Sequence, residues 1–353
     1  MQRALFITTI DFSKIKNGGA LYSKYLFEFL GKSTKIDAVI LRHNDTSLIQ
    51  FTVTLFFAFW HSIKHGVPFN VSLYNILGKR CFKKSNLNIS DYDLVIFDHV
   101  ECFTLFDRTY RGLNVLIAHN IEADIMVERF RKFKFLQKLL FNEKSMKTFE
   151  DKAFRDADCI VCISALDKKY IQKFNHSVFQ ILPLKRYGAE KLKRNLECFS
   201  FGFIGSFDWS PNLDAVGKIV SSYKDLFCQG DKLLVAGGGW ESFDWTGINV
   251  KLLGFVDSVD VFYRDLDFLI CPIISGGGVP VKVLEALNYG VPVLTTQRVI
   301  DAIFASDVNE CQDFGIYLID DFREKRCKLM EDPVYDIKSI NDDRLRLKEF
   351  FDE

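Results

Sequence analysis

Residues 268–295 read FLICPIISGGGVPVKVLEALNYGVPVLT, and the fold prediction starts from this stretch. The apolar run Phe268–Cys271 predicts a buried strand, and Val291–Thr295 predicts a second. Between them lie a glycine-rich turn and a helical pattern over 280–289, where Pro280 suits the first turn of a helix. A strand, a crossover helix and another strand form the unit from which parallel sheets are built.

The same alternation of strand and helix patterns extends in both directions along the chain, which predicts an α/β protein with two doubly wound domains. We expect a Rossmann-like domain at about 1–185, a second at about 198–325, and a helical tail over 326–353 that packs back toward the first. The other predicted strands are Ala4–Ile10, Ile36–Leu41, Asp93–Phe97, Asn114–Ala118, Cys159–Ile163, Phe199–Gly205, Lys232–Ala236 and Val250–Leu253. Helices are predicted at 20–30, within 122–157, and at 211–223, 258–264, 299–305 and 339–351.

The composition is that of an ordinary globular protein: of 353 residues, 48% are hydrophobic and 26% charged, with a net charge of zero. This balance disfavours disorder and a protein that coats nucleic acid. The charge is unevenly divided, because residues 1–200 carry a net +11 and residues 201–353 a net −11. Two domains with different partners are therefore expected, the basic one favouring an anionic surface or ligand.

The nine scattered cysteines and the start of the chain indicate the cytoplasm. An odd number of cysteines in apolar runs is typical of buried free thiols in a reducing compartment. The first ten residues form a predicted strand and lack the pattern of a signal peptide. The longest apolar stretch, Phe51–Trp60, is too short to span a bilayer.

Four glycine or serine turns follow the strands of the second predicted domain. Because ligands of open α/β sheets bind at the carboxyl ends of the strands, these turns suit close approach of a phosphorylated ligand. Each turn taken alone is also what a plain strand-to-helix connection needs. Lys282 and Glu285, at i and i+3 on one helix face, strengthen the prediction of a nucleotide diphosphate site. The turns are Gly205-Ser206, Gly237–Gly239, Gly254-Phe255 and Ser275–Gly278.

These motifs resemble family 4 of the retaining GT-B glycosyltransferases, in its bacterial polysaccharide branch. The resemblance is carried by residues 205–212 (GSFDWSPN), 233–238 (LLVAGG), 252–256 (LLGFV) and 276–293 (GGGVPVKVLEALNYGVPV). The first domain agrees in outline through Gly18-Gly19, residues 118–122 (AHNIE) and residues 157–164 (ADCIVCIS).

The resemblance implies a GT-B fold, with the two parallel sheets facing a cleft, and a retaining transfer without a cofactor or an obligatory metal. The C-terminal domain would bind a nucleotide-sugar donor and the N-terminal domain a glycan or lipid-diphosphate-linked acceptor. His119 and Lys282 would be catalytic, and Glu285 would bind the ribose hydroxyls. The donor would also contact Gly205, Ser206, Gly238, Phe255, Gly276, Gly277 and Gly278, while Gly18, Gly19 and His99 would form the acceptor and diphosphate loop.

The chain departs from the family pattern at two places. The first of two glutamates spaced E-x7-E is replaced by Gly277, and Phe207-Asp208-Trp209 occupies a loop that often holds a basic pair. Two alternatives therefore stay open: a GT-B sugar-nucleotide epimerase, and a non-catalytic binding subunit.

Other candidate sites are weaker. Asp91/Asp93, Asp156/Asp158 and Asp265/Asp267 match an Asp-x-Asp metal motif, but each precedes an apolar strand, which is a common solvated position. Cys159-x-x-Cys162 lies inside a predicted strand without a second pair, so a structural role is favoured over a zinc or redox site. The chain has no nucleophile elbow, P-loop or dinucleotide fingerprint.

The segment Arg129–Phe141 (RFRKFKFLQKLLF) combines cations with apolar residues at helical spacing. It predicts either a surface helix packed on its own domain or docking on anionic lipid. We therefore expect a peripheral enzyme on the inner face of the cytoplasmic membrane, which extends a lipopolysaccharide or capsule-type surface polysaccharide and does not bind nucleic acid.

Overall fold

The computed structural model describes residues 3–13, 17–32, 34–41, 48–130, 143–184, 198–304, 308–331, 340 and 342–352. Within these ranges the chain divides into two compact units. The first consists of Met1–Ile181 with Asp342–Glu353, and the second of Leu182–Asn341. None of the helices in the described ranges has the length and apolar composition needed to cross a bilayer.

The first unit contains a six-stranded parallel sheet of order β2-β1-β3-β4-β5-β6. Strands β3 and β5 are buried along their whole length, as continuous apolar runs in a parallel sheet should be. The strands are β1 Arg3–Thr8, β2 Lys35–Ile40, β3 Leu94–Asp98, β4 Leu113–Ala118, β5 Cys159–Cys162 and β6 Val178–Gln180. The helices are α1 Gly18–Leu30, α2 Leu48–His65, α3 Phe69–Ser85, α4 Glu122–Phe130, α5 Glu143–Asp156 and α6 Ala165–Ile171.

The second unit contains another six-stranded parallel sheet, of order β12-β11-β10-β7-β8-β9. Its strands are β7 Ser200–Ile204, β8 Lys232–Ala236, β9 Val250–Gly254, β10 Phe268–Cys271, β11 Val293–Thr295 and β12 Ile316–Leu318. Its helices are α7 Ser210–Ser222, α8 Val259–Arg264, α9 Val281–Asn288, α10 Gln297–Phe304 and α11 Phe322–Glu331. The predicted α/β class with two parallel sheets is confirmed.

The terminal segments differ in detail from the sequence-based boundaries. Helix α11 spans the expected boundary at 325 and belongs to the second unit, where the Arg326 guanidinium lies 2.8 Å from Asp231 Oδ1. The last helix, α12 (Arg344–Asp352), belongs to the first unit. Just before it, Asp343 accepts hydrogen bonds from the Lys168 ammonium and the Gln180 backbone N–H.

One local correction concerns the glycines after β1. Gly18 and Gly19, which the resemblance places in an acceptor and diphosphate loop, are the first residues of α1. The Asn17 side chain caps this helix by accepting a hydrogen bond from the Ala20 N–H at 2.9 Å.

Candidate functional site

The candidate site of the second unit lies where its sheet reverses strand order. Strands β7 and β10 are neighbours, and the chain continues from them toward opposite edges of the sheet. Such a switch point leaves a crevice at the carboxyl ends of the strands, which is where open α/β sheets bind ligands. The Gly205 turn follows β7 and the Ser275–Gly278 turn follows β10.

Three of the predicted turns are connected to one another by backbone hydrogen bonds. The Gly205 N–H donates to the Ala236 carbonyl at 2.9 Å, and the Phe207 N–H donates to the Gly238 carbonyl at 3.1 Å. The Gly237 N–H donates to the Gly254 carbonyl at 2.7 Å. The ends of β7, β8 and β9 therefore form one continuous layer of backbone.

Glycine is required at two positions of this layer. Gly205 has φ 155° and Gly237 has φ 115°, values that side-chain-bearing residues rarely adopt. A Cβ at position 237 would lie 2.1 Å from the Gly205 carbonyl oxygen. A Cβ at position 205 would lie 2.8 Å from Lys282 Nζ. The absence of side chains lets the two turns and the lysine pack directly against one another.

Lys282 is the second residue of α9, and its side chain extends to the Gly205 turn. Its Nζ donates to Asn212 Oδ1 at 2.7 Å and lies 4.3 Å from the centre of the Phe203 ring. The Asn212 amide nitrogen donates to the Ser206 carbonyl at 2.9 Å, so the lysine's partner is itself fixed. Burial lowers the pKa of Lys282, which means that the ammonium is poorly solvated and would gain from an added anion.

Glu285 lies one turn further along α9. The Tyr263 hydroxyl is 3.3 Å from Glu285 Oε2, and the Tyr263 ring stacks on Tyr289 at 5.1 Å. Burial raises the pKa of Glu285, although the Tyr263 hydrogen bond and the Lys282 charge oppose this shift. The carboxylate is thus held in place with hydrogen-bonding capacity to spare.

The remaining predicted donor residues surround this centre. Gly276 lies beside α7, because a Cβ there would be 3.4 Å from the Pro211 ring. Gly277 is exposed, and Phe255 is 80% exposed at the end of β9. The Phe207–Trp209 loop follows the Gly205 turn, and the buried Trp240 indole donates to the Gly205 carbonyl at 2.7 Å. Sequence reasoning missed Asn212, Tyr263 and Trp240, which contact the site from three other elements.

The first unit has a buried polar cluster at its own switch point, between β1 and β3. Asp98 ends β3 and is fully buried. One oxygen accepts from the Thr8 hydroxyl, and the other accepts from His119 Nε2 at 2.7 Å and from the Ser23 hydroxyl at 3.1 Å. The structure therefore connects His119 to a carboxylate that the sequence analysis did not select.

His99 packs directly on His119, with ring centres 3.7 Å apart and planes 11° from parallel. Its φ of 77° is unusual for a side-chain-bearing residue, and such strain is found mainly at functional sites. Burial alone would lower the pKa of His99, but the nearby Asp98 carboxylate outweighs it and raises this pKa to about 9. His99 is therefore charged at neutral pH.

His119 is held in one tautomer by this arrangement. Burial and the charge of His99 lower the pKa of His119, which favours its neutral imidazole. Burial would raise the pKa of Asp98, but the two histidines keep it well below its usual range, so this carboxylate only accepts. Nε2 must then carry the proton, which leaves Nδ1 as an acceptor. A Cβ at Gly19 would lie 3.8 Å from this atom.

Asp98, His99 and His119 are also close enough to be considered as metal ligands, because one atom of each lies within 4.8 Å of the others. A ligating imidazole must direct an in-plane lone pair at the ion. Two nearly parallel rings 3.7 Å apart cannot both do so well. The arrangement fits a hydrogen-bonded network better than a metal centre.

The charged state of His99 predicts a pH-dependent stability. A folded-state pKa of about 9 lies above the unfolded value of 6.5, so the stabilisation is complete below about pH 6.5 and is lost as the pH rises through 9. We expect the free energy of unfolding to decrease between about pH 6.5 and 9.5, and to decrease less in His99→Gln. Urea denaturation across this range measures both proteins. Equal pH dependence in the two would contradict the assignment.

The alternative motifs have structural roles. Asp93, Asp158 and Asp267 accept the backbone N–H of Arg3, Asn114 and Ser200, respectively, at 2.8–2.9 Å. These contacts lie at the amino ends of the strands, the edge opposite the glycine turns. Cys159 and Cys162 are buried free thiols in β5, and burial raises the pKa of both. Most of the basic segment 129–141 lies outside the described residues.

Comparison with known proteins agrees with the geometry of the second unit. Residues 198–332 match a family model described as "Glycosyl transferases group 1". No curated protein sequence matches the chain.

Solved structures of similar fold cover the whole chain more fully. WaaG, a glycosyltransferase involved in lipopolysaccharide biosynthesis, is 13% identical, with a TM-score of 0.54 over 93% of this chain and 90% of WaaG. Anabaena HepE, solved with UDP-glucose, is also 13% identical, with a TM-score of 0.54 over 94% of this chain and 90% of HepE.

S. aureus TarM is 13% identical, with a TM-score of 0.51 over 73% of this chain and 52% of TarM, so the chain spans about half the length of TarM. At these identities the likeness establishes the fold. The two units have the paired Rossmann-like domains of the GT-B glycosyltransferase fold, and residues 198–332 are similar to the glycosyl transferases group 1 family model.

Proposed function

We propose that the protein is a retaining glycosyltransferase of family 4 that transfers a sugar from a nucleotide diphosphate to a glycan acceptor. The acceptor would be lipid-linked, and the product a bacterial cell-surface polysaccharide. The group 1 domain at 198–332 supports the reaction class. The likeness to WaaG, whose described role is in lipopolysaccharide biosynthesis, supports the acceptor class.

The observation that carries the proposal is the position of the Lys282 ammonium. It lies against the Gly205 turn and beside Asn212, at the switch point of the second sheet. Positive charge next to side-chain-free backbone at the start of a helix is suited to a diphosphate. Glu285, on the same face of α9, would accept the ribose hydroxyls.

The mechanism needs charge stabilisation more than a nucleophilic side chain. The acceptor hydroxyl oxygen would attack the anomeric carbon on the face from which the diphosphate leaves. As the bond between this carbon and the phosphate oxygen breaks, negative charge grows on the diphosphate. Lys282 and the first amides of α9 would stabilise that charge. The acceptor proton would pass to the leaving phosphate oxygen, which balances the reaction without a metal or a cofactor.

The first unit would supply the groups on the acceptor side. His119 Nδ1 is an acceptor next to Gly19, so it can receive a hydrogen bond from a sugar hydroxyl. Its partner Asp98 is fully buried and already accepts from three side chains, which makes Asp98 unsuitable as a covalent nucleophile. His99 and Gly18, the first residue of α1, would complete the acceptor and diphosphate side in this proposal.

Two measurements test the function. A thermal-shift panel of sugar nucleotides should reveal the donor, because a ligand at 100 times its Kd stabilises a protein by about 2.7 kcal/mol. Product analysis with a labelled donor then separates the reaction classes. Transfer to a glycan supports the proposal, whereas free sugar and nucleotide without transfer would indicate an epimerase. Binding without any turnover would indicate a non-catalytic subunit, the alternative that is favoured by Gly277 in place of the family's first glutamate.

Glu285→Ala is expected to weaken nucleotide binding by about tenfold or more, because two charge-assisted hydrogen bonds to the ribose are lost. Calorimetric titration with the donor identified by thermal shift measures the effect. The exposed Glu241 of the same unit provides the matched control, since Glu241→Ala removes a carboxylate away from α9. Unchanged affinity in Glu285→Ala would remove the ribose assignment.

A further inference from the structure

Helix α2 exposes its most apolar side chains. Phe56 is 59% exposed, Phe57 54%, Trp60 54% and Ile63 60%. The side of α2 that is buried instead carries Ala58 and the polar Thr54, whose hydroxyl accepts from the Arg80 guanidinium. Helices of globular proteins normally bury their apolar face. In α2 the largest aromatic side chains lie on the exposed face instead, so that face is not explained by folding of the first unit.

The exposed residues form one continuous stripe. Val53, Phe56, Phe57 and Trp60 follow the spacing i, i+3, i+4 and i+7, which places them on the same face of a helix. The Phe56 ring lies 5.9 Å from Phe57 and 6.3 Å from Trp60, measured between centres. A contiguous aromatic surface of this kind on a protein marks an interaction site.

The charged residues of α2 and α3 are all positive. Residues 48–85, which comprise α2, α3 and their connection, contain five Lys or Arg and neither Asp nor Glu. The two helices are antiparallel, because Thr54 contacts Arg80 while His61 contacts Ser72. The cations therefore flank the stripe at both ends. The exposed ones are Lys64, Lys79, Lys83 and Lys84, whereas Arg80 contacts Thr54 on the buried side of α2.

The direction of the pKa shift of His61 agrees with this distribution of positive charge. The pKa of His61 is lowered first by burial and then by the positive charges of His65, Lys79 and Lys64. Lys64 at the end of α2 and Lys79 of α3 therefore both act electrostatically on His61. This concentration of positive charge favours an anionic partner for the surface.

We propose that α2 docks on an anionic lipid surface. The helix would lie in the plane of the membrane, with Phe56, Phe57 and Trp60 in the interfacial layer, where aromatic rings are favoured. The flanking lysines would contact the phosphate headgroups through their flexible stems. Lipid is the favoured occupant because one surface satisfies the apolar stripe and the cations together.

Docking through α2 is independent of the basic segment at 129–141. It extends the proposed function and depends on it, because an enzyme with a lipid-linked acceptor works at a membrane surface. An 18-residue helix is about 27 Å long, which is enough for a lateral anchor and places the charged ends within reach of several headgroups.

Flotation of the full chain with phosphatidylglycerol vesicles, compared with phosphatidylcholine vesicles, tests the docking. We expect Phe56→Ser/Phe57→Ser/Trp60→Ser to weaken binding to phosphatidylglycerol by about tenfold or more, since three interfacial rings are removed. Because these side chains are exposed, the melting temperature should not fall. Lys79→Gln/Lys83→Gln/Lys84→Gln should reduce the preference for phosphatidylglycerol. The control Val261→Ser/Leu345→Ser removes exposed apolar residues elsewhere and should bind as wild type does.

Two outcomes would overturn the proposal. If the triple aromatic variant floats as well as wild type, lipid binding lies elsewhere, for example in 129–141. If wild type self-associates without lipid and the aromatic variant is monomeric, the stripe binds a second copy of the chain. The thermal shift with sugar nucleotides reports on the second unit, so it should persist in every variant. Its absence in wild type would contradict the proposed function and leave the docking result valid.

Discussion

Lys282→Met is expected to reduce turnover by about 100-fold to 1,000-fold, the range observed when one electrostatic stabiliser of a transition state is removed. Donor affinity should fall less, because the charge on the diphosphate grows as the glycosidic bond breaks. The geometry supports this size of effect: Lys282 Nζ is fixed by Asn212 at 2.7 Å and by the Phe203 ring at 4.3 Å, so little reorganisation precedes the reaction. Steady-state kinetics and calorimetric titration of the donor separate the two quantities.

Lys251→Met is the matched control, because Lys251 lies exposed on β9 of the same unit. It should leave both quantities unchanged. Equal losses of turnover and affinity in Lys282→Met would mean that the lysine binds the ground state and the transition state alike. Full activity would mean that the phosphates bind at another place. A melting temperature similar to wild type would show that loss of the Asn212 contact has not disrupted the turn.

The sheet could be predicted from the sequence because buried parallel strands are continuous apolar runs. Phe268–Cys271 and Lys232–Ala236 were predicted to the residue. The three-residue strands β6 and β12 were missed, since runs that short carry no distinguishable pattern, whereas β11 lies within the longer predicted run Val291–Thr295. The α2–α3 pair was missed for another reason. The apolar stripe of α2 resembles a buried segment, and only the structure shows that it is exposed.

The candidate site could be predicted only where its residues share one element. Lys282 and Glu285 lie three positions apart on α9, so helical geometry alone relates them. Asn212 is 70 positions from Lys282, and Tyr263 is 22 positions from Glu285. These contacts depend on strand order, which a single sequence does not specify. Asp98 was missed in the same way, because its partners come from the ends of β1, β4 and the middle of α1.

Asp98→Asn is expected to reduce turnover by about 100-fold while nucleotide binding by the second unit is unchanged. The carboxylate fixes the proton of His119 on Nε2 and keeps His99 charged. An amide can donate as well as accept, so it no longer selects one tautomer, and loss of the buried charge lowers the pKa of His99. Loss of a carboxylate that orients a catalytic histidine is known to cost up to about 10⁴-fold elsewhere. We expect a smaller loss of turnover in Asp98→Asn because His119 would bind a sugar hydroxyl and would not act as the catalytic base.

Asp98 is a positioning residue in this account, so its effect must act through His119. Asp98→Asn/His119→Ala should be no less active than His119→Ala alone, because residues that act as a unit are not additive. Thr8→Val is the matched control. It removes one hydrogen bond to the same carboxylate but keeps the charge, so it should lower the melting temperature and leave turnover near wild type. Multiplied losses in the double variant would show that Asp98 acts independently of His119. Equal loss of turnover in Thr8→Val would show that the cluster matters for stability rather than for the tautomer.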